Sequence, residues 1–171
     1  MNNDRRNNNN VNNSLEDHVV GIKRVSKTVT GGRRASFAAL VIVGDRAGHV
    51  GYGTGKALDV SQSVEKAKRN ALDNMITVPL KDDRTFYHDI TMKVGAGKVL
   101  LKPAQPGKGI IAGGAMRYIL DLLGVQDVVA KSIGSSNPNS MVRATFKALE
   151  AMQSPRQVNA IRKAPVKNKE S

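Results

Sequence analysis

From His18 to Thr30 the β-branched residues Val19, Val20, Ile22, Val25 and Val29 are separated by polar ones, a pattern that predicts a strand. Gly31-Gly32 interrupts it as a turn. Ala35 to Val43 (ASFAALVIV) is a nearly continuous apolar run of strand length, Gly44 to Gly48 (GDRAG) is turn chemistry, and His49 to Gly53 returns as a short strand, completing a hairpin. From about Lys56 to Ile76 the period lengthens. Val60, Val64, Ala67, Ala71 and Met75 recur at steps of four and three, which is one stripe of a helix. Thr54 is a candidate cap, Asp59 suits the positive end of the helix dipole, and Thr77-Val78-Pro79 ends the helix. The expected first unit is three antiparallel strands with one helix laid across them, the other sheet face left open.

Leu80 to Arg84 (LKDDR) reads as a connection, and residues 80–86 are taken as a linker. Tyr87 to Val94 and Lys98 to Lys102 read as two strands around Gly95-Ala96-Gly97. Pro103 to Gly114 is rich in Gly and Pro. Ala115 to Leu123 (AMRYILDLL) is helical, with Gly124 placed to stop it in a left-handed conformation. Val125 to Ile133 is a strand, Gly134 to Ser140 a loop with Ser140 as candidate cap, and Met141 to Met152 a helix. The order β-β-α-β-α predicts a second, two-layer α/β unit, so the chain as a whole is α+β. The expected division is therefore 15–79 and 87–153. Ahead of it lies an Asn-rich stretch, 1–14, too poor in apolar area to offset the entropy of ordering. After it comes a basic tail, 154–171, expected to be loose until a partner binds.

Composition narrows the chemistry. The 171 residues contain no Cys, which removes disulfides, thiolate metal sites and cysteine nucleophiles. The three His lie far apart in sequence, so no metal site is expected. No apolar run approaches the ~20 residues of a membrane span, and the polar first residues predict no secretory signal and a cytosolic-type compartment. The net charge is +13. A surplus of that size self-repels and points to a polyanionic partner. It is also uneven. Residues 18–34 hold Lys23, Arg24, Lys27, Arg33 and Arg34 with no acid, whereas residues 57–76 balance. A basic run is by default a solvated face. This one carries Gly31-Gly32 followed by Arg33-Arg34, glycines that let backbone approach a ligand and guanidiniums whose fork fits phosphate.

Two glycine-rich segments invite a nucleotide-binding reading. Gly51-Tyr52-Gly53-Thr54-Gly55-Lys56 fails as a P-loop, because Val50 stands where the first Gly is required and Ala57 where Ser or Thr would hold magnesium. Its glycines read as a tight passage from strand into helix, with Gly55-Lys56 at the helix start as a secondary phosphate contact. Pro106 to Gly114 also precedes a helix and could cradle a phosphate, with Lys108 and Arg117 neutralising charge, yet no acidic pair is near to hold magnesium. No G-x-S-x-G motif supports a hydrolase. The aromatics Phe37, Tyr52, Phe86, Tyr87, Tyr118 and Phe146 are not interleaved with the basic runs, so recognition is expected through phosphate, 2′-hydroxyl and shape rather than base stacking.

Several strings resemble the bacterial small-subunit ribosomal protein S-five family. They are Arg24-Val25-Ser26-Lys27-Thr28-Val29, Gly31-Gly32-Arg33, Ser36 to Val41, Gly48 to Gly53 and Gly55-Lys56-Ala57; then Lys102-Pro103-Ala104, Gly107 to Arg117, Lys131, Gly134 to Pro138 and Val142 to Thr145. The resemblance runs from about Leu15 to Ser154. It implies a double-stranded-RNA-binding-like N-terminal domain, then an α/β domain with a left-handed βαβ crossover, against the usual hand. It implies a structural role without enzyme activity, cofactor or small-molecule substrate. The implied partners are small-subunit ribosomal RNA and ribosomal proteins four and eight, near the messenger entry path, with effects on assembly and translational accuracy. The loop matching Val25 to Arg34 is implied to reach ribosomal RNA near the spectinomycin site. With the neighbouring basic residues this sets the RNA contacts as Lys23, Arg24, Ser26, Lys27, Thr28, Gly31, Gly32, Arg33, Arg34 and Lys56. Gly109, Gly113, Gly114 and Arg117 are implied to face protein four. Lys108 departs from the family's Thr, and Asp59-Val60-Ser61 from its acidic-Val-Pro helix start.

Overall fold

The computed structural model describes residues 15–163; the Asn-rich stretch 1–14 and residues 164–171 lie outside them. The fold is α+β, with two sheets and four helices among the described residues. In the first sheet β1 (Glu16–Val29), β2 (Gly32–Gly44), β3 (His49–Ala57) and β4 (Met75–Thr77) lie in sequence order, all antiparallel. Helix α1 (Val60–Asp73) packs on one face. The second sheet contains β5 (Ile90–Val94), β6 (Gly97–Pro103), β7 (Ile110–Ile111) and β8 (Val128–Gly134) in the order β5-β6-β8-β7. Helix α2 (Ala115–Leu123) lies between β7 and β8, which pair in parallel. Helices α3 (Pro138–Glu150) and α4 (Pro155–Lys163) follow.

The helix after β3 is shorter than its periodicity predicts. Strand β3 continues to Ala57, so Thr54 is a strand residue and no cap; its carbonyl accepts from Asn70 Nδ2 at 2.9 Å. Asp59 occupies the cap position. At the other end Met75-Ile76-Thr77 leaves the helix and pairs with His49–Gly51. The reason lies in Gly51, Gly53 and Gly55. They are alternate residues of β3, so all three face α1, whose small buried residues Ser63, Ala67 and Ala71 recur every fourth position. Two strand residues span about 6.7 Å and four helix residues about 6 Å, so glycine and small residue stay in step along the contact. The helix lies directly on the strand backbone. These glycines are a helix-packing surface, not a turn, and Gly55-Lys56 is not at a helix start.

The other face of this sheet is not left open. Ala39, Val41 and Val43 face α1, whereas Leu40, Ile42 and Val50 join a larger core with Ile119, Leu123 and Phe146 of α2 and α3 and Val99 and Leu101 of β6. The two helices are therefore sandwiched between the sheets. The turn after β2 seals the junction: the Arg46 N–H donates to Leu122 O at 2.9 Å and the Gly48 N–H to Leu123 O at 3.0 Å. The Arg46 guanidinium lies 2.8 Å from Glu16 and 3.8 Å from Asp121, and His18 of β1 stacks on Tyr118 of α2 at 3.7 Å.

Residues 80–86 are tied down. Phe86 is 1% exposed, and Arg84 and Thr85 converge on Asp127, itself 2% exposed. The Asp127 carboxylate accepts from Arg84 Nε at 2.7 Å and from the Gly109 N–H at 2.9 Å, while its carbonyl accepts from Thr85 Oγ1 at 2.7 Å. The Arg84 hydrogen bond, then that of Gly109, holds the carboxyl below its usual range against the opposing effect of burial. A carboxyl depressed in the folded state stabilises it above the unfolded value, near 3.9, and loses that contribution as pH falls through the depressed value. Asp127→Asn is therefore expected to unfold more readily in urea at pH 7 and to show a flatter dependence of stability on pH below about 4. Parallel curves for parent and variant across that range would show that the carboxylate is not a stabilising anchor.

Gly124 stops α2 as expected, with φ 89°. Helix α3 begins earlier than expected: Asn137, not Ser140, is its cap, accepting from the Asn139 N–H at 3.3 Å, with Pro138 pre-set at the first helical position. The segment after Ser154 is helical through Lys163 rather than loose. Its start is a reciprocal cap, in which Ser154 Oγ accepts from the Gln157 N–H and Gln157 Oε1 accepts from the Ser154 N–H.

Candidate nucleic-acid interface

The outer half of the β1–β2 hairpin carries most of the predicted contacts. Lys27 pairs with Arg34, Thr28 with Arg33 and Val29 with Gly32, around a turn at Thr30-Gly31. Gly32 has φ 133°, a conformation that side chains strain to adopt, and no atom lies within 4 Å of where a Cβ on Gly31 would sit. Lys23, Arg24, Ser26, Lys27, Thr28, Gly31, Gly32, Arg33 and Arg34 are all exposed. Among the described residues no carboxylate comes within 4.0 Å of any of the five cations. Lys27 and Arg34 stand directly opposite each other, an arrangement that costs folding energy and is relieved by an anion. Strand alternation places Lys23, Lys27 and Arg34 on one face and Arg24, Ser26, Thr28 and Arg33 on the other. Arg33 and Arg34, adjacent in sequence, are thus not one clamp; they point to opposite sides of the ribbon.

Lys56 belongs to the same surface by a different route. Lys23, Ala38 and Lys56 form one row across β1, β2 and β3. This row borders a groove of about 380 Å³ between the first sheet and the start of α3, closed on the far side by Asn139 and Arg143. The structure brings Lys23, Lys56 and the second unit's Arg143 to one opening. Sequence reasoning missed Arg143, since nothing in its helical pattern shows which neighbour it faces.

The second predicted set is only partly brought together. Gly113 and Gly114 line a depression at the start of α2 together with Lys131, and Arg117 is exposed on the first turn. Gly109 lies on the other side of β7, where its N–H is held by Asp127 and its carbonyl accepts from the Val128 N–H at 3.1 Å. That occupied N–H, with a buried carboxylate behind it, argues against this loop as a phosphate cradle. Among the described residues no three His, Asp or Glu side chains gather as a metal site, and no helix is long and apolar enough to cross a membrane.

Two α+β units sharing a core, with a β1–β2 hairpin on one of them whose outer half is cationic and free of acids, define a structural scaffold. Residues 15–79 match the family model described as ribosomal protein S5, N-terminal domain, and residues 92–162 the one described as ribosomal protein S5, C-terminal domain. The chain belongs to the ribosomal protein S5 family, a structural and non-enzymatic family of the small ribosomal subunit. It is similar to the small ribosomal subunit protein uS5 of Phenylobacterium zucineum, 57% identical over 148 residues that cover 86% of this chain and 76% of the relative. The uS5 of Caulobacter vibrioides is 55% identical over 152 residues, covering 89% and 76%. That of Brucella anthropi is 57% identical over 146 residues, covering 85% and 78%.

Proposed function

We propose that this structural constituent binds small-subunit ribosomal RNA in the cytoplasm through the β1–β2 hairpin and the Lys23–Lys56 row, and so supports subunit assembly. The observation that carries the reading is the hairpin's five exposed cations with no carboxylate in reach among the described residues. Unneutralised charge of this density gains most from phosphate, where binding releases condensed counterions. Residues 15–79 serve as a double-stranded-RNA-binding-like unit and 87–153 as the second unit, with β7-α2-β8 as the left-handed crossover the family resemblance implies. The parallel pairing of β7 with β8 supports a βαβ unit there. Gly113, Gly114 and Arg117 form the surface toward ribosomal protein four, where accuracy at the messenger entry path is set, with Gly109 apart from them on the other side of β7; protein eight is the other protein neighbour. Sucrose-gradient fractionation tests the reading: the chain is expected to co-sediment with small subunits at near one copy each. A chain found mainly in the unbound fractions would overturn it in favour of an RNA-binding role outside the ribosome.

A further inference from the structure

Basic residues stand side by side at five places in the chain, and two of those pairs are followed by one apolar residue and then a serine. These are Lys23-Arg24-Val25-Ser26 and Arg33-Arg34-Ala35-Ser36, one on each strand of the hairpin. The other pairs, Arg5-Arg6, Lys68-Arg69 and Arg162-Lys163, have Asn8, Ala71 and Pro165 at the same place. Ser26 is exposed and Ser36 half-buried. Both lie on extended backbone with an open outer edge. Strand β1 is the outermost of its sheet, and β3 pairs with β2 only from Phe37 inward, so Arg33 to Ser36 have a partner strand on one side alone among the described residues. A hydroxyl on an extended, edge-exposed segment behind a basic pair suits a serine kinase with an acidic substrate groove, whose recognition joins strand-like docking to a charge pattern.

Register divides the hairpin's cations between the two serines. Ser26 lies opposite Ala35, so Arg24 is two residues along its own strand, about 6.7 Å away, and Arg33 is diagonally across, about 7–8 Å away. Ser36 lies opposite Val25, with Arg34 two residues along and Lys23 and Lys27 on the two diagonals. All five cations, which no carboxylate of the described residues reaches, therefore border one hydroxyl or the other.

We propose that Ser26 and Ser36 are phosphorylation sites for a serine kinase that reads basic residues, and that phosphorylation releases the hairpin from RNA. This rests on the hairpin reading and adds its regulation. In the transfer, the serine Oγ forms a bond to the γ-phosphorus of a nucleoside triphosphate and the bond from that phosphorus to its bridging oxygen breaks. The nucleoside diphosphate leaves, and the hydroxyl proton passes to the kinase's catalytic carboxylate. Each phosphoserine brings a charge of about −1.5 to −2 and three acceptor oxygens. Its charge-assisted hydrogen bonds go to the bordering Arg and Lys side chains, which are then no longer available to RNA phosphates. Bound RNA covers the hairpin, so the free chain is the kinase's substrate and the assembled chain is shielded.

The test uses the full chain translated with phosphoserine at positions 26 and 36, beside the parent and a Ser26→Ala/Ser36→Ala variant. Binding to a small-subunit ribosomal RNA transcript is measured across a potassium chloride series. The phosphorylated chain is expected to bind at least tenfold more weakly, with the slope of log K against log salt flattened by about 0.7–0.9 for each cation withdrawn from a phosphate. The Ala variant should bind as the parent does. If it weakens as much as the phosphorylated chain, the serines are RNA contacts and the switch is refuted. A phosphorylated chain that matches a parent of steep salt slope sinks the switch and leaves the hairpin reading standing, whereas a parent with no salt slope sinks that reading itself. Mass spectrometry of the chain recovered from growing cells completes the test. Phosphoryl groups on Ser26 or Ser36 are expected in the unbound gradient fractions and not in small subunits. Their absence from both fractions, or their equal presence in both, overturns the proposal.

Discussion

Gly53→Ala is expected to destabilise the fold by about 2–3 kcal/mol, the upper range for overpacking a core. Elsewhere in a strand the same change stabilises by a few tenths to 1 kcal/mol, since alanine has less freedom to lose. The sign reverses here because a Cβ on Gly53 would collide with the Ala67 carbonyl oxygen and the Ala71 nitrogen, both backbone atoms of α1. A side chain could rotate away; a helix backbone can only be displaced. Displacing it also disturbs the neighbouring positions, where Gly51 meets the Ala71 carbonyl and Gly55 the Ser63 carbonyl. Against a total stability of about 5–15 kcal/mol, such a loss shifts the urea midpoint visibly. Gly21→Ala is the control. No atom lies within 4 Å of its added Cβ and its φ is not in the left-handed region, so it should be neutral or slightly stabilising. Equal midpoints for the two variants would refute the helix-on-strand account of the Gly51–Gly55 segment.

Removing Arg33 and Arg34 together should weaken RNA binding and flatten its salt dependence by roughly 1.4–1.8 in the log–log slope, the amount expected for two phosphates. The geometry adds a requirement. The two guanidiniums leave opposite faces of the ribbon, so they reach different phosphates, on two walls of whatever the hairpin enters. Each single alanine variant should then take about half of the change. If one accounts for all of it, the hairpin lies flat on a single backbone. If neither alters the slope, the two arginines are solvated charge and touch no phosphate.

How far the sequence reached depends on what each signal encodes. Alternating β-branched residues and the Gly31-Gly32 break foretold the hairpin that carries Lys27, Arg33 and Arg34, because strand period and turn chemistry are local. Helix α2 was legible to the residue, since an amphipathic stripe ends at a left-handed glycine. The Gly51–Gly55 repeat was misread because a glycine in a strand signals either a turn or a close neighbour, and only the position of Ser63, Ala67 and Ala71 distinguishes them. The reciprocal cap of Ser154 and Gln157 was readable as a Ser followed three residues later by Gln, but the basic composition around it suggested a loose tail.

Composition and local pattern by themselves determined an α+β chain, free of thiol chemistry, with its cations concentrated where a hairpin would display them. Which cations share a face was decided by the tertiary structure. Register put Lys23 in a row with Lys56 and separated Arg33 from Arg34, and the packing of α3 brought Arg143 to the same groove. The division has a physical cause. Turns and periodicities arise from interactions a few residues long, whereas the alignment of charges depends on strand pairing and helix docking between segments far apart in the chain.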